Sequence, residues 1–267
     1  RQKIGYSGDI SGGSEIKYTN QTNYKRMRTN IEILGVRIDN FSVRETKENI
    51  LAILENSPEQ KFAATLNPEI VLKAHRDEKY RHILNSADLN ICDGFGLRLA
   101  GFLKGKRLKA RFTGVEMADF LLENAKKRNL QVLVIATENS LSTPKEIERA
   151  ISKKYPGLSV KSEYYSPSQS WLENAIIKEA EIVFVNFGAP EQEKFISENR
   201  GKFPSAKILV GVGGTFDFLT GKTKRAPEAM RKIGLEWLWR LIQEPKRIRR
   251  IWNAVVVFPV IVLLGKD

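Results

Sequence analysis

Residues 181–212, EIVFVNFGAPEQEKFISENRGKFPSAKILVGV, decide the fold. Two short apolar runs, IVFV and ILVGV, bracket a polar stretch in which apolar residues recur at helical spacing. Strands that are apolar on nearly every residue bury both faces, as in a parallel sheet covered by helices on each side. The same rhythm extends upstream: KFAATL (61–66) precedes PEIVLKAHRDEKYRHILNSA (68–87), LNIC (89–92) precedes GFGLRLAGFLKG (94–105), and QVLVIAT (131–137) precedes PKEIERAISKKY (144–155). IEILGVRI (31–38) and VRETKENILAILEN (43–56) open the series as a strand and a helix. The expected architecture is α/β, a layered, mostly parallel sheet with helices on both faces.

The chain has 267 residues, room for one large or two small domains with a full apolar core. Its one cysteine, Cys92, has no partner for an intramolecular disulfide, and no charged-then-apolar start marks a signal peptide. The expected compartment is therefore a reducing cytoplasm. The net charge of +13 is uneven: residues 1–30 hold +4 and residues 221–267 hold +7, leaving only +2 on the long middle. This pattern points to an anionic partner met by an end segment. A nucleic-acid-binding protein is the chief rival, but its cations would pattern the central domain, so no nucleic acid is expected as a partner.

Three regions follow. Residues 1–30, rich in Gly, Ser, Thr and Asn, read as a flexible leader or a linker from an upstream segment. Residues 31–222 form the α/β core. Residues 223–267 form a basic, Trp-rich appendage, in which RAPEAMRKIGLEWLWRLIQ (225–243) reads as one helix whose polar strip is Lys232, Glu236, Arg240 and Gln243. The apolar run AVVVFPVIVLL (254–264) is too short to span a bilayer, and with the preceding KRIRR and Trp252 it suits a membrane interface.

Ligands of such sheets gather at the carboxyl ends of the strands. Asp93 follows LNIC directly, with Gly94 and Gly96 allowing a turn and close approach of a ligand. It is placed to act as a general base or to cap the next helix. Arg111 precedes a helix capped by Thr113 and Gly114, where a guanidinium can neutralise a diphosphate or sit on the surface. Gly188 and Gln192 in GAPEQE offer a helix-start anion site and a hydrogen-bonding amide. Gly213 and Gly214 follow the last strand without the GxGxxG spacing of a dinucleotide fingerprint, which weighs against a nucleotide-cofactor oxidoreductase or methyltransferase. His75 and His82, on what reads as one helix face, have no companions for a metal site, and no metal or cofactor is expected.

The blocks TLNPE, CDGFG, RFTGVE, FGAPEQE and GVGGTFDFLTGKTKRAPEAMRKIGLEWLWRLIQEPKRIRR together resemble the WecG/TagA/CpsF glycosyltransferases, glycosyltransferase family 26, from about Ile31 to Arg250. The resemblance implies a Rossmann-like core and an inverting transfer without metal. The sugar, commonly of N-acetylmannosamine type, passes from a UDP-sugar to a polyprenyl-diphosphate-linked acceptor at the inner membrane face, in cell-surface polysaccharide or teichoic acid synthesis. It further implies that Thr65, Asn67 and Gln192 orient donor or acceptor, that Asp93 is the base, and that Arg111 stabilises the leaving diphosphate. Arg240, Arg247 and Arg250 are expected to contact anionic headgroups or the acceptor diphosphate. The protein would be cytoplasmic and peripheral on an anionic membrane surface, with a homo-oligomer possible.

Overall fold

The apolar runs assemble into one eight-stranded sheet in the computed structural model, which describes residues 29–166, 168, 171 and 174–265. The expected leader lies, except for its last two residues, outside the described residues. The strands are β1 (Asn30–Ile33), β2 (Val36–Asp39), β3 (Lys61–Leu66), β4 (Leu89–Cys92), β5 (Val132–Ala136), β6 (Val160–Tyr164), β7 (Ile182–Asn186) and β8 (Ile208–Gly211). Their order is β1-β2-β4-β3-β8-β7-β5-β6, parallel throughout except for the β1–β2 pair. That pair is a hairpin within IEILGVRI, which had read as one strand. Leu34 (φ 51°) and Gly35 (φ 79°) both take positive φ, as a tight hairpin turn matched to strand twist requires.

The helices are α1 (Val43–Asn56), α2 (Pro68–Arg76), α3 (Glu78–Ser86), α4 (Phe95–Leu103), α5 (Gly114–Arg128), α6 (Pro144–Lys154), α7 (Ala175–Glu179), α8 (Glu191–Asn199) and α9 (Thr215–Leu219). The terminal segment adds α10 (Glu228–Lys232), α11 (Glu236–Gln243), α12 (Ile248–Trp252), a π-helical turn over Asn253–Val257 and α13 (Phe258–Leu264). The sheet divides the core by strict alternation. Val183 and Val185 of β7 join the cluster under α2, α3 and α8, while Ile182 and Phe184 join the one under α1, α5 and α6. The chain leaving β3 enters α2 on the first face, whereas the chain leaving the adjacent β8 enters α9 on the second, which opens a crevice at the strand ends.

Two expected helices are broken. The run 68–87 divides at Asp77, whose side chain accepts from Tyr80 N at 3.0 Å to start α3 while its own N–H closes α2 on the Lys73 carbonyl. His75 and His82 consequently sit on different helices. The run 225–243 divides at Gly234, held at φ 79° with the Phe95 ring so close that a Cβ there would lie 2.6 Å from it. Within the terminal apolar run, Phe258 and Val262 are fully buried among the residues under α2 and α4.

Candidate active site

The carboxylate of Asp93 is positioned by backbone pairing on both sides of β4. Asp93 N donates to Leu66 O at the end of β3 (2.8 Å), and Phe112 N donates to Cys92 O (2.8 Å). The returning chain thereby presents the start of α5 to Asp93, and Gly114 N donates to Asp93 Oδ2 at 3.2 Å. Asp93 therefore does not cap the helix that follows it. Gly94 is the N-cap of α4 without a side-chain bond, and the carboxylate meets the positive end of α5 instead. Although Asp93 keeps some contact with solvent, enclosure by protein raises its pKa to about 6. The Gly114 N–H, Arg240 and Arg111 oppose that rise, and Glu236 adds to it.

Two guanidinium groups share a carboxylate beside this group. Arg111 Nη2 lies 3.7 Å from Glu236 Oε2, and Arg240 Nη2 lies 3.3 Å from Glu236 Oε1. The Arg240 guanidinium also stacks over the Phe218 ring at 5.2 Å, and its Nε is buried with no hydrogen-bond partner among the described residues. Arg98 Nε on α4 is likewise buried and unpartnered, within electrostatic reach of Cys92. The Cys92 thiol is pushed up to about 12 by burial and by the Asp93 charge, so it is no nucleophile at neutral pH.

The other predicted residues surround this centre in differing roles. Thr65 is buried and donates to the Gly211 carbonyl (3.1 Å), tying β3 to β8. Asn67 caps α2 by accepting from Ile70 N at 3.1 Å. Gly94 and Gly96 admit protein rather than open space: a Cβ at either would stand 2.6 or 2.7 Å from the Pro68 ring. Gln192 is buried, and its Oε1 accepts from both Gly188 N (3.3 Å) and Gly213 N (2.8 Å) while Nε2 donates to Glu193 at 2.6 Å. Its amide thus fastens the two glycine turns, at φ 97° and 52°, to each other. Glu193 also accepts from the Tyr80 hydroxyl (2.9 Å) and, fully buried, has its pKa raised by desolvation. Gly214 starts α9, against the Asp217 carboxylate that Ser142 holds at 2.6 Å.

Arg250 and Arg247 are each paired with a carboxylate other than Glu236. Arg250 grips both Glu69 carboxylate oxygens (3.0 and 3.1 Å) and lines a cavity of about 430 Å³ with Lys73, Arg76, Gly188 and Asn253. Arg247 pairs within its own segment with Glu244 at 2.6 Å. The structure therefore gathers Asp93, Arg111 and Arg240, joins Gly188, Gln192 and Gly213, and sets Arg250 over the first of these glycine turns. Glu236 and Arg98 escaped the sequence reading, the former because its position marked it as solvent-facing. Among the described residues, no group of three His, Cys, Asp or Glu is arranged to hold a metal ion.

A perturbed carboxylate and paired guanidiniums at the strand ends of a doubly covered parallel sheet mark the class as an α/β enzyme. A model of the Glycosyl transferase WecG/TagA/CpsF family matches residues 31–266, and the chain belongs to that family of glycosyltransferases. A Staphylococcus aureus relative named N-acetylglucosaminyldiphosphoundecaprenol N-acetyl-beta-D-mannosaminyltransferase is 31% identical over 237 residues, covering 85% of this chain and 90% of its own length. Relatives with the same name from Bacillus spizizenii (35% identical, 71% of this chain and 74% of theirs) and Bacillus subtilis (34%, 72% and 77%) match shorter spans.

Proposed function

We propose that this glycosyltransferase moves an N-acetylmannosamine-type sugar from a UDP donor to a polyprenyl-diphosphate-linked N-acetylglucosamine, with inversion. The observation that carries the mechanism is the Asp93 carboxylate, tuned to about 6 and held at the start of α5 beside Arg111 and Arg240. Asp93 accepts the proton of the acceptor hydroxyl as that oxygen forms its bond to the anomeric carbon. The bond from that carbon to the UDP oxygen breaks on the opposite face, and the electron pair leaves with the diphosphate. A single displacement of an α-linked donor yields a β-linked product, the linkage in the relatives' name. As charge grows on the leaving diphosphate, Arg111 and Arg240 stabilise it more than they stabilise the ground state. Glu236 must yield its place between them when that anion arrives.

Thr65, Gln192 and the glycine turns hold the strand ends in shape around the donor, and Asn67 fixes the start of α2. Among the described residues no helix is long and apolar enough to cross a membrane. The reading is that the basic terminal segment rests on an anionic membrane surface, on the cytoplasmic side where UDP-sugars are made. UDP release from UDP-N-acetylmannosamine, with a short-chain polyprenyl-diphosphate N-acetylglucosamine as acceptor, tests the function. Turnover requiring both substrates supports it, and absence of UDP release with an intact, folded protein overturns it.

A further inference from the structure

Helix α4 carries an apolar stripe on its outer face. Leu97, Ala100 and Gly101 turn inward, while Phe95, Leu99, Phe102 and Leu103 remain 45, 42, 72 and 40% exposed. Spacings of four, three and one residues place these four on one side of the helix. The terminal helix α13 packs alongside α4 and repeats the arrangement: Phe258 and Val262 enter the core, and Leu263 and Leu264 stay exposed. Two helices packed side by side thus each leave large apolar side chains exposed, a concentration that marks an interaction surface.

Exposed cations bracket this surface. Lys106 and Arg107 lie just past the end of α4, and Lys246 and Arg249 precede Trp252; none of the four has an ion pair among the described residues. An apolar centre with an unmatched basic rim complements an anionic lipid surface, whose acyl boundary takes the side chains and whose headgroups take the charges.

We infer that α4 is a second membrane-docking element, inserting Phe102 and Leu99 beside the terminal helix into an anionic lipid interface. The inference rests on the reading that the acceptor is lipid-linked, and adds how the site meets it. Asp93 lies two residues before α4, so docking α4 brings the base to the depth of the lipid headgroups, where a polyprenyl diphosphate presents its sugar.

The test uses the full chain with vesicles of phosphatidylglycerol and phosphatidylcholine, against phosphatidylcholine alone. Phe102→Asp should lower binding to the anionic vesicles at least roughly tenfold, the scale of losing one buried aromatic side chain. Circular dichroism and turnover of a water-soluble short-chain acceptor should stay unchanged. Lys106→Glu with Arg107→Glu should weaken binding in a salt-dependent way. Because Cys92 is buried, a spin label on Phe102→Cys is selective, and it should become accessible to oxygen and shielded from a polar nickel relaxant when vesicles are added. Unchanged binding by Phe102→Asp, or a label that stays in water, overturns the inference. So does a wild-type oligomer that Phe102→Asp dissociates without loss of vesicle binding, since the apolar surface would then join copies of the chain. Wild-type protein that turns over the soluble acceptor yet ignores vesicles overturns the docking surface and leaves glycosyl transfer standing. Phe102-dependent vesicle binding without any turnover does the reverse.

Discussion

Glu236 Oε2 stands 3.7 Å from Arg111 Nη2, joining helix α11 of the terminal segment to the loop that leads into α5. With Arg240 on its other oxygen, this carboxylate makes the terminal segment part of the electrostatic environment of Asp93 rather than a separate attachment. Arg240 lowers and Glu236 raises the affinity of Asp93 for its proton, so the segment tunes the base in both directions.

The pH dependence follows from that environment. Asp93 is active as a base only when ionised, so kcat/KM should rise through about pH 6 and level off above it. Burial is the main cause of the raised value, and the Glu236 charge is an additional one. Glu236→Gln should shift the acid limb to lower pH, because it removes a like charge and frees two guanidiniums to approach. A limb that stays in place, measured on kcat/KM across about pH 4.5–7.5, roughly one and a half units on either side of that pKa, would show that Glu236 does not act on the base.

Asp93→Asn should lower kcat on the order of 100-fold or more while donor binding persists, the scale of a lost general base. The amide oxygen can still accept from Gly114 N, so the start of α5 keeps its partner. The variant should also be more stable at neutral pH. The native pKa lies above the ordinary 3.8, so the folded state binds more protons than the unfolded state between about 3.8 and 6. The stability this brings is complete below 3.8 and is lost as pH rises through about 6. Replacing the carboxylate removes that loss, a gain on the order of 1–3 kcal/mol at pH 7. Urea unfolding at pH 4 and pH 7 checks it: the gain should be present at the higher pH and small at the lower.

Arg111→Lys should reduce kcat at least roughly tenfold with little effect on the unfolding midpoint, since a point charge does not reproduce a planar two-pronged donor at a diphosphate. Full activity of the lysine variant would place Arg111 outside the reaction and leave Arg240 as the principal cation.

The sheet was readable because its inner strands β3, β4, β5, β7 and β8 are buried on nearly every residue and its helices carry caps, such as Thr113 with Glu116 and Thr143 with Glu146. Asp93 and Arg111 were readable because this architecture puts strand-end loops where ligands bind. The helix breaks were harder. Asp77 sits inside an uninterrupted apolar period and breaks it only because its side chain caps α3 while its N–H ends α2. Gly234 needed the Phe95 ring, which is remote in sequence. Glu236 looked like one member of a solvent strip because the partner that buries it, Arg111, comes from another part of the chain. The glycines of CDGFG suggested ligand access from their type alone, whereas the neighbour that demands them is Pro68.

The terminal helix provides the last prediction. A tail that only touched a membrane could be removed without cost to the core, but Phe258 is fully buried and packs with the residues beneath α2 and α4. Phe258→Ala should therefore destabilise the fold by about 3–5 kcal/mol, the range for emptying a buried phenylalanine site. Leu264, 79% exposed five residues after Pro259, provides the contrast. Leu264→Ser should leave stability within about 0.5 kcal/mol, as for surface changes generally. Thermal unfolding of the two variants beside the parent separates the roles of the inner and outer faces of one helix. If Phe258→Ala unfolds with the parent, the helix is docked too weakly to hold Glu236 and Arg240 at Asp93, and the part assigned to the terminal segment in tuning the base falls with it.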